Sequence, residues 1–173
     1  MDDYFQTKKE FSDLKIVFIS RISPKKNLLF LLNALSKIHH KIHVELSVYG
    51  PVEDSRYFDN CLKAVNIISD NIKVNFYEPI EHNKINQILQ MNHFFILPTL
   101  GENFGHAIFE AFSAGRPVMI SDQTPWRNLE NQKLGFDLSL NSIELWVDAI
   151  EKCAKINQNE FNDMCISSHI FAK

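Results

Sequence analysis

The stretch from Phe94 to Arg116, FFILPTLGENFGHAIFEAFSAGR, decides the fold. Phe94 to Leu97 is a short, wholly apolar run, too brief for a helix and suited to a strand buried on both faces. Pro98 and Gly101 interrupt it, and from Ala107 to Ala114 apolar residues return at helical spacing. Strand, glycine-bearing loop and helix in that order form half of a βαβ unit. The loop sets the backbone N–H groups of Asn103, Phe104 and Gly105 at a helix start, where they can meet sugar hydroxyls or a phosphate oxygen. Glu102 lies in the loop and Glu110 on the helix, and a carboxylate can accept from a vicinal pair of hydroxyls, as on a pyranose or ribose. Glu110 stands between Phe109 and Ala111-Phe112, where a solvated helix face explains it poorly. It has either a polar task or a structural partner such as Arg116.

Working outward, strand-type runs occur at Lys15 to Ile19, His43 to Tyr49, Ile72 to Phe76, Pro117 to Ile120 and Phe136 to Leu138. Between them, Leu28, Leu31, Leu32, Leu35 and Ile38 recur at helical spacing, as do Phe58, Leu62, Val65 and Ile68. Ile85, Ile88 and Leu89 suggest a third helix, and Ile143 to Ile156 a long one. From Glu160 the chain has the pattern of a marginal helix that needs something to pack on. Alternation of strands and helices predicts an α/β domain with a parallel sheet of about six strands between two helical layers. Right-handed crossovers then leave a crevice beyond the carboxyl ends of the strands, so function belongs in the loops that follow them.

The 173 residues suffice for one domain of this kind. Apolar residues make up 45% and charged residues 23%, an ordinary globular balance. The net charge of -3 with 18 scattered basic residues argues against a nucleic-acid partner. Cys61, Cys153 and Cys165 are odd in number and form no CxxC pair, which fits buried thiols in a reducing compartment. No apolar run approaches the roughly 18 residues of a membrane span, and Met1-Asp2-Asp3 is not a signal-peptide start. A cytoplasmic protein is expected.

The loop Ile19-Ser20-Arg21-Ile22-Ser23-Pro24-Lys25-Lys26-Asn27 joins a strand to a helix and carries three cations. Arg21 offers a planar fork and Lys26 a mobile point charge at a helix start, which suits a diphosphate; a solvated basic turn is the plain alternative. Asn27 is placed to cap the helix. Gly50-Pro51 allows a sharp turn or a close approach after the second strand. Tyr77-Glu78-Pro79-Ile80, after the third, could give a nucleobase backbone hydrogen bonds and an apolar wall, or be a surface turn. A GxGxxG spacing is absent, so a nicotinamide dinucleotide has no fingerprint here. His39, His40 and His43 lack a further ligand cluster, and no metal site is expected.

Taken together, Arg21 and Lys26 as R-x4-K, Glu102 and Glu110 as E-x7-E, and Ser113-Ala114-Gly115-Arg116-Pro117-Val118 as a variant of A-x-G-x-P-V with Ser113 for alanine, this chain resembles the retaining GT-B glycosyltransferases of family 4, group 1. The likeness runs from about Lys15 to Lys155 and matches the Rossmann-like C-terminal, donor-binding half of that fold. It implies that Arg21 and Lys26 bind the donor diphosphate and stabilise the leaving nucleoside diphosphate without a metal or other cofactor. It implies that Glu102 and the amides of Asn103 to Gly105 hold the donor sugar and that Glu110 holds the ribose; Arg21, Lys26 and Glu102 are the catalytic candidates. Gly50, Glu78 and Ile80 complete the donor-binding set. A glycine often follows the family lysine, where this chain has Asn27.

The same resemblance implies an N-terminal acceptor domain that this chain lacks, in cis or trans, with Met1 to Ser12 as the connection and Ile166 to Lys173 as the crossing back. The chain alone is then expected to be inactive, and the full enzyme to work on a glycan or lipid-linked acceptor, peripheral to the inner face of the membrane. A non-enzymatic nucleotide-sugar-binding module and half of a nucleotide-sugar epimerase are the alternatives. Ser121 to Trp126 has no assigned role, with packing or sugar stacking open for Trp126; His106 faces either the ligand or the helix surface.

Overall fold

The computed structural model describes residues 7–173; residues 1–6, the start of the expected connection, lie outside the described residues. Its elements are β1 (Asp13–Ile19), α1 (Leu28–Leu35), β2 (His43–Tyr49), α2 (Ser55–Val65), β3 (Ile72–Tyr77), α3 (Ile85–Gln90), β4 (Phe94–Leu97), α4 (His106–Ser113), β5 (Val118–Ser121), β6 (Gly135–Leu138), α5 (Ile143–Lys155) and α6 (Gln158–Phe171). The six strands form one sheet in the order β3-β2-β1-β4-β5-β6, and every pairing is parallel.

β4 and β5 are buried at every position, which explains why their sequences show no alternation. β3, at the edge, keeps most of its residues partly exposed. α1 buries Leu28, Leu31, Leu32, Ala34 and Leu35, and contacts both α2 and α5. It stops at Leu35, three residues short of the expected Ile38, yet Ile38 still enters the core through a tight turn. α2 begins where Asp54 accepts from the Tyr57 N–H at 2.8 Å. The free thiols of Cys61, Cys153 and Cys165 are all buried.

The tail is more than the marginal helix expected from Glu160. α6 runs for 14 residues because Asn157 and Glu160 form a reciprocal capping box. Phe161 and Cys165 enter the core, and the helix packs along α4. Beside it the fully buried Arg116 donates to the carbonyls of Leu89 and Gln90, closing the end of α3, and to the carbonyl of Gly115. Among the described residues no helix is long and apolar enough to cross a membrane.

Candidate functional site

Strand order reverses between β1 and β4, and at such a switch point the two following loops diverge and open a crevice. Those loops carry Lys26 and Glu102. They are stitched together by the Leu100 N–H, which donates to the Lys25 carbonyl at 2.8 Å. After β1 the chain makes a single 3-10 turn, Pro24–Lys26, and enters α1 through Asn27 at φ 62. Asn27 therefore does not cap with its side chain, as expected from sequence. It supplies a left-handed backbone turn, which asparagine and glycine tolerate best and which accounts for asparagine here.

The turn aims Lys26 inward. It is 9% exposed, and its Nζ pairs with Glu102 Oε1, so it is a held charge rather than the mobile one expected. The buried Thr99 hydroxyl donates to the same carboxylate oxygen at 3.0 Å. The end of β5 and the segment after it brace this loop from the other side. Ser121 Oγ donates to the Thr99 carbonyl, and the Gln123 carbonyl accepts from the Glu102 N–H at 3.2 Å. Trp126 Nε1 donates to the Phe104 carbonyl at 2.6 Å.

α4 begins after Gly105, whose φ of 81 strains any other residue; a Cβ there would also sit 2.8 Å from Ile108 Cδ1. The amides of Asn103, Phe104 and Gly105 donate to no protein group among the described residues, so this helix start keeps free donors. Glu110 is partly buried, with Oε1 3.5 Å from Nδ1 of the exposed His82. That answers the Arg116 alternative: the Glu110 carboxylate meets His82, while the Arg116 guanidinium is engaged by carbonyls. His106 is exposed, its ring 4.9 Å from that of Phe104. Trp126 packs among Phe104, Phe109, Phe112 and Phe171.

Arg21 is exposed and pairs with Glu53 at 3.1 Å, apart from the Lys26–Glu102 pair. Gly50 brings the loops after β1 and β2 into contact: a Cβ on it would lie 1.8 Å from the Ser20 carbonyl oxygen. Next to it opens a cleft of about 600 Å³ lined by Ile22, Gly50, Phe58, Tyr77, Glu78 and Pro79, among others. The Tyr77 ring stacks on Tyr49 at 4.6 Å. Of the segment Tyr77-Glu78-Pro79-Ile80, the first three residues line the cleft and Ile80 lies outside its lining. Thr99, Glu53, His82 and Gln123 were not singled out from the sequence. Thr99 alone left a signal, its Thr-x-x-Glu spacing to Glu102.

The structure brings Lys26 and Glu102 together beside Thr99, while Arg21 pairs with Glu53 and Glu110 with His82; a cation, a carboxylate and unpartnered amides on the two loops form a set able to hold an anionic, hydroxyl-bearing ligand. The solved catalytic domain of cholesterol-α-glucosyltransferase from Helicobacter pylori superposes with a TM-score of 0.72 at 21% identity, over 92% of this chain and 96% of that one. Anabaena HepE in complex with UDP-glucose gives 0.73 at 16% identity, over 92% of this chain and 44% of that one. Both likenesses establish the GT-B type of fold. In sequence, the chain is 31% identical over 133 residues to the UDP-Gal:α-D-GlcNAc-diphosphoundecaprenol α-1,3-galactosyltransferase of Escherichia coli, covering 76% of this chain and 34% of that protein. The chain therefore spans about a third of the length of that curated relative. The model of the family described as glycosyl transferases group 1 matches residues 13–155, most of the chain, and this chain belongs to that family of glycosyltransferases.

Proposed function

We propose that this chain is the donor-binding domain of a retaining glycosyltransferase that transfers a hexose from a uridine diphosphate sugar to a lipid-linked glycan acceptor. The observation that carries it is the Lys26–Glu102–Thr99 cluster at the switch point, beneath a helix start with free amides. Arg21 and Lys26 take the diphosphate, and their charge stabilises the departing uridine diphosphate without a metal. Glu102 and the amides of Asn103 to Gly105 hold the sugar, and Glu110 the ribose hydroxyls. The base lies in the cleft beside Gly50 and Glu78. Uridine and the lipid-linked acceptor follow the named activity of the galactosyltransferase relative, and a lipid-linked acceptor supports a full enzyme that works at the membrane surface. An acceptor-binding domain in cis or trans completes the reaction, and this chain alone binds donor without transferring sugar.

Titrating the chain with UDP, GDP and ADP by calorimetry, with and without magnesium, tests the proposal. Selective, metal-independent UDP binding that falls at least tenfold in Arg21→Ala and in Glu110→Ala is the expected outcome. Binding untouched by both substitutions sinks it.

A further inference from the structure

We infer that Trp126 is a positioning residue for the donor sugar, acting through the peptide between Phe104 and Gly105; the inference rests on the donor-site reading above. The end of β5 and the segment after it touch the loop after β4 at three successive points. Ser121 Oγ binds the Thr99 carbonyl, the Gln123 carbonyl binds the Glu102 N–H, and Trp126 Nε1 binds the Phe104 carbonyl at 2.6 Å. The first two contacts hold the strand end and the carboxylate-bearing residue. The third holds the peptide that leads into α4.

A trans peptide sets its carbonyl and its N–H in opposite directions, and the described residues contain no cis bond. With the Phe104 carbonyl fixed on the indole, the Gly105 N–H must point away from it. That N–H has no protein acceptor among the described residues. Accepting a hydrogen bond at the carbonyl also polarises the same amide, making its N–H a better donor. Gly105 is the residue that permits this approach, since a Cβ on it would lie 3.3 Å from Trp126 Nε1. The indole is itself held: it stacks on Phe109 at 6.1 Å and meets the edges of Phe112 and Phe171. Aromatic packing alone would be served by phenylalanine; the N–H donor is what phenylalanine lacks.

Trp126→Phe keeps one aromatic ring among these neighbours and removes the donor. UDP and UDP-galactose are titrated into wild type and variant, with thermal unfolding as the control. The expected result is a five- to tenfold weaker UDP-galactose affinity in the variant, the size of one lost hydrogen bond. UDP affinity should stay within twofold, and the unfolding midpoint close to wild type. Equal weakening toward both probes, or no change toward either, overturns the inference while leaving the donor site in place. Nitrogen-15 NMR of the wild-type chain gives a second readout that needs no variant. UDP-galactose should move the Gly105 amide proton downfield and UDP alone should not; an unmoved Gly105 signal also overturns the inference. A wild-type chain that ignores both probes removes the donor-site reading and the inference together.

Discussion

Replacing Lys26 with methionine leaves the Glu102 carboxylate with only the Thr99 hydroxyl as side-chain partner. The two side chains are 11% and 14% exposed. The pair therefore lies nearer the buried limit, where breaking one partner costs about 3–5 kcal/mol, than the surface limit of about 0–1 kcal/mol. Residual solvent access at both groups puts the cost at about 2 kcal/mol, equivalent to a fall of roughly 4–8 °C in unfolding midpoint for a chain of this size. The matching change Glu102→Gln keeps an oxygen for Thr99 and leaves a single cation that can reach water, so it should cost about 1 kcal/mol or less. In the double variant no unpaired charge remains, and its stability should return to within about 1 kcal/mol of wild type. Urea unfolding of all four proteins measures the coupling directly, with an expected interaction of about 1.5 kcal/mol or more. Losses that simply add, with coupling below about 0.5 kcal/mol, would refute the claim that these loops share one desolvated charge pair.

Three further outcomes are expected. Arg21 and Glu53 form an exposed pair that competes with any diphosphate for the guanidinium, so Glu53→Gln should tighten UDP binding about two- to threefold, read by calorimetry. Gly50→Ala should destabilise the fold by more than about 3 kcal/mol in urea unfolding, because the new Cβ meets the Ser20 carbonyl and φ is 150. His93, 2% exposed, accepts from the Lys15 N–H and binds the Lys8 carbonyl, and burial pushes its pKa from 6.5 down to about 4. The folded state thus prefers neutral His93. Its stabilisation is complete above about pH 6.5 and is lost as pH falls toward 4, a span of about 3 kcal/mol. Comparing unfolding midpoints at pH 7 and pH 4.5 in wild type and His93→Gln checks it, with a smaller acid loss expected in the variant.

The six strands are legible in the sequence as short runs rich in β-branched and aromatic residues; Phe94 to Leu97, buried on both faces, reads as wholly apolar, whereas His43 to Tyr49 alternates in part because some of its positions stay exposed. The βαβ alternation places function in the loops after the strands, among them those bearing Arg21, Lys26 and Glu102, whereas the reversal of strand order between β1 and β4 is known only from the sheet. What escaped was set by tertiary contacts. The left-handed turn at Asn27 looked like a cap because asparagine serves both purposes. The start of α6 is marked in the sequence by the Asn157-x-x-Glu160 capping-box spacing, which the reading from Glu160 passes over, while its packing beside α4 is not visible in a helix with so weak an apolar face. The partners Glu53, His82 and Gln123 lie 32, 28 and 21 positions from the site residues they meet, and no local spacing signals a contact made through folding.

The central claim, that the crevice between the loops after β1 and β4 binds a nucleotide sugar, is tested most directly by nitrogen-15 NMR of the intact chain titrated with UDP-galactose. The account expects shift changes concentrated at residues 20–27, 50–53, 99–106 and 110, saturating with ligand, and absent at the far ends of the strands around Asp13 and His43. Saturable changes centred elsewhere, for instance in the hollow between β6, α5 and α6 lined by Phe136, Lys152 and Met164, would contradict it.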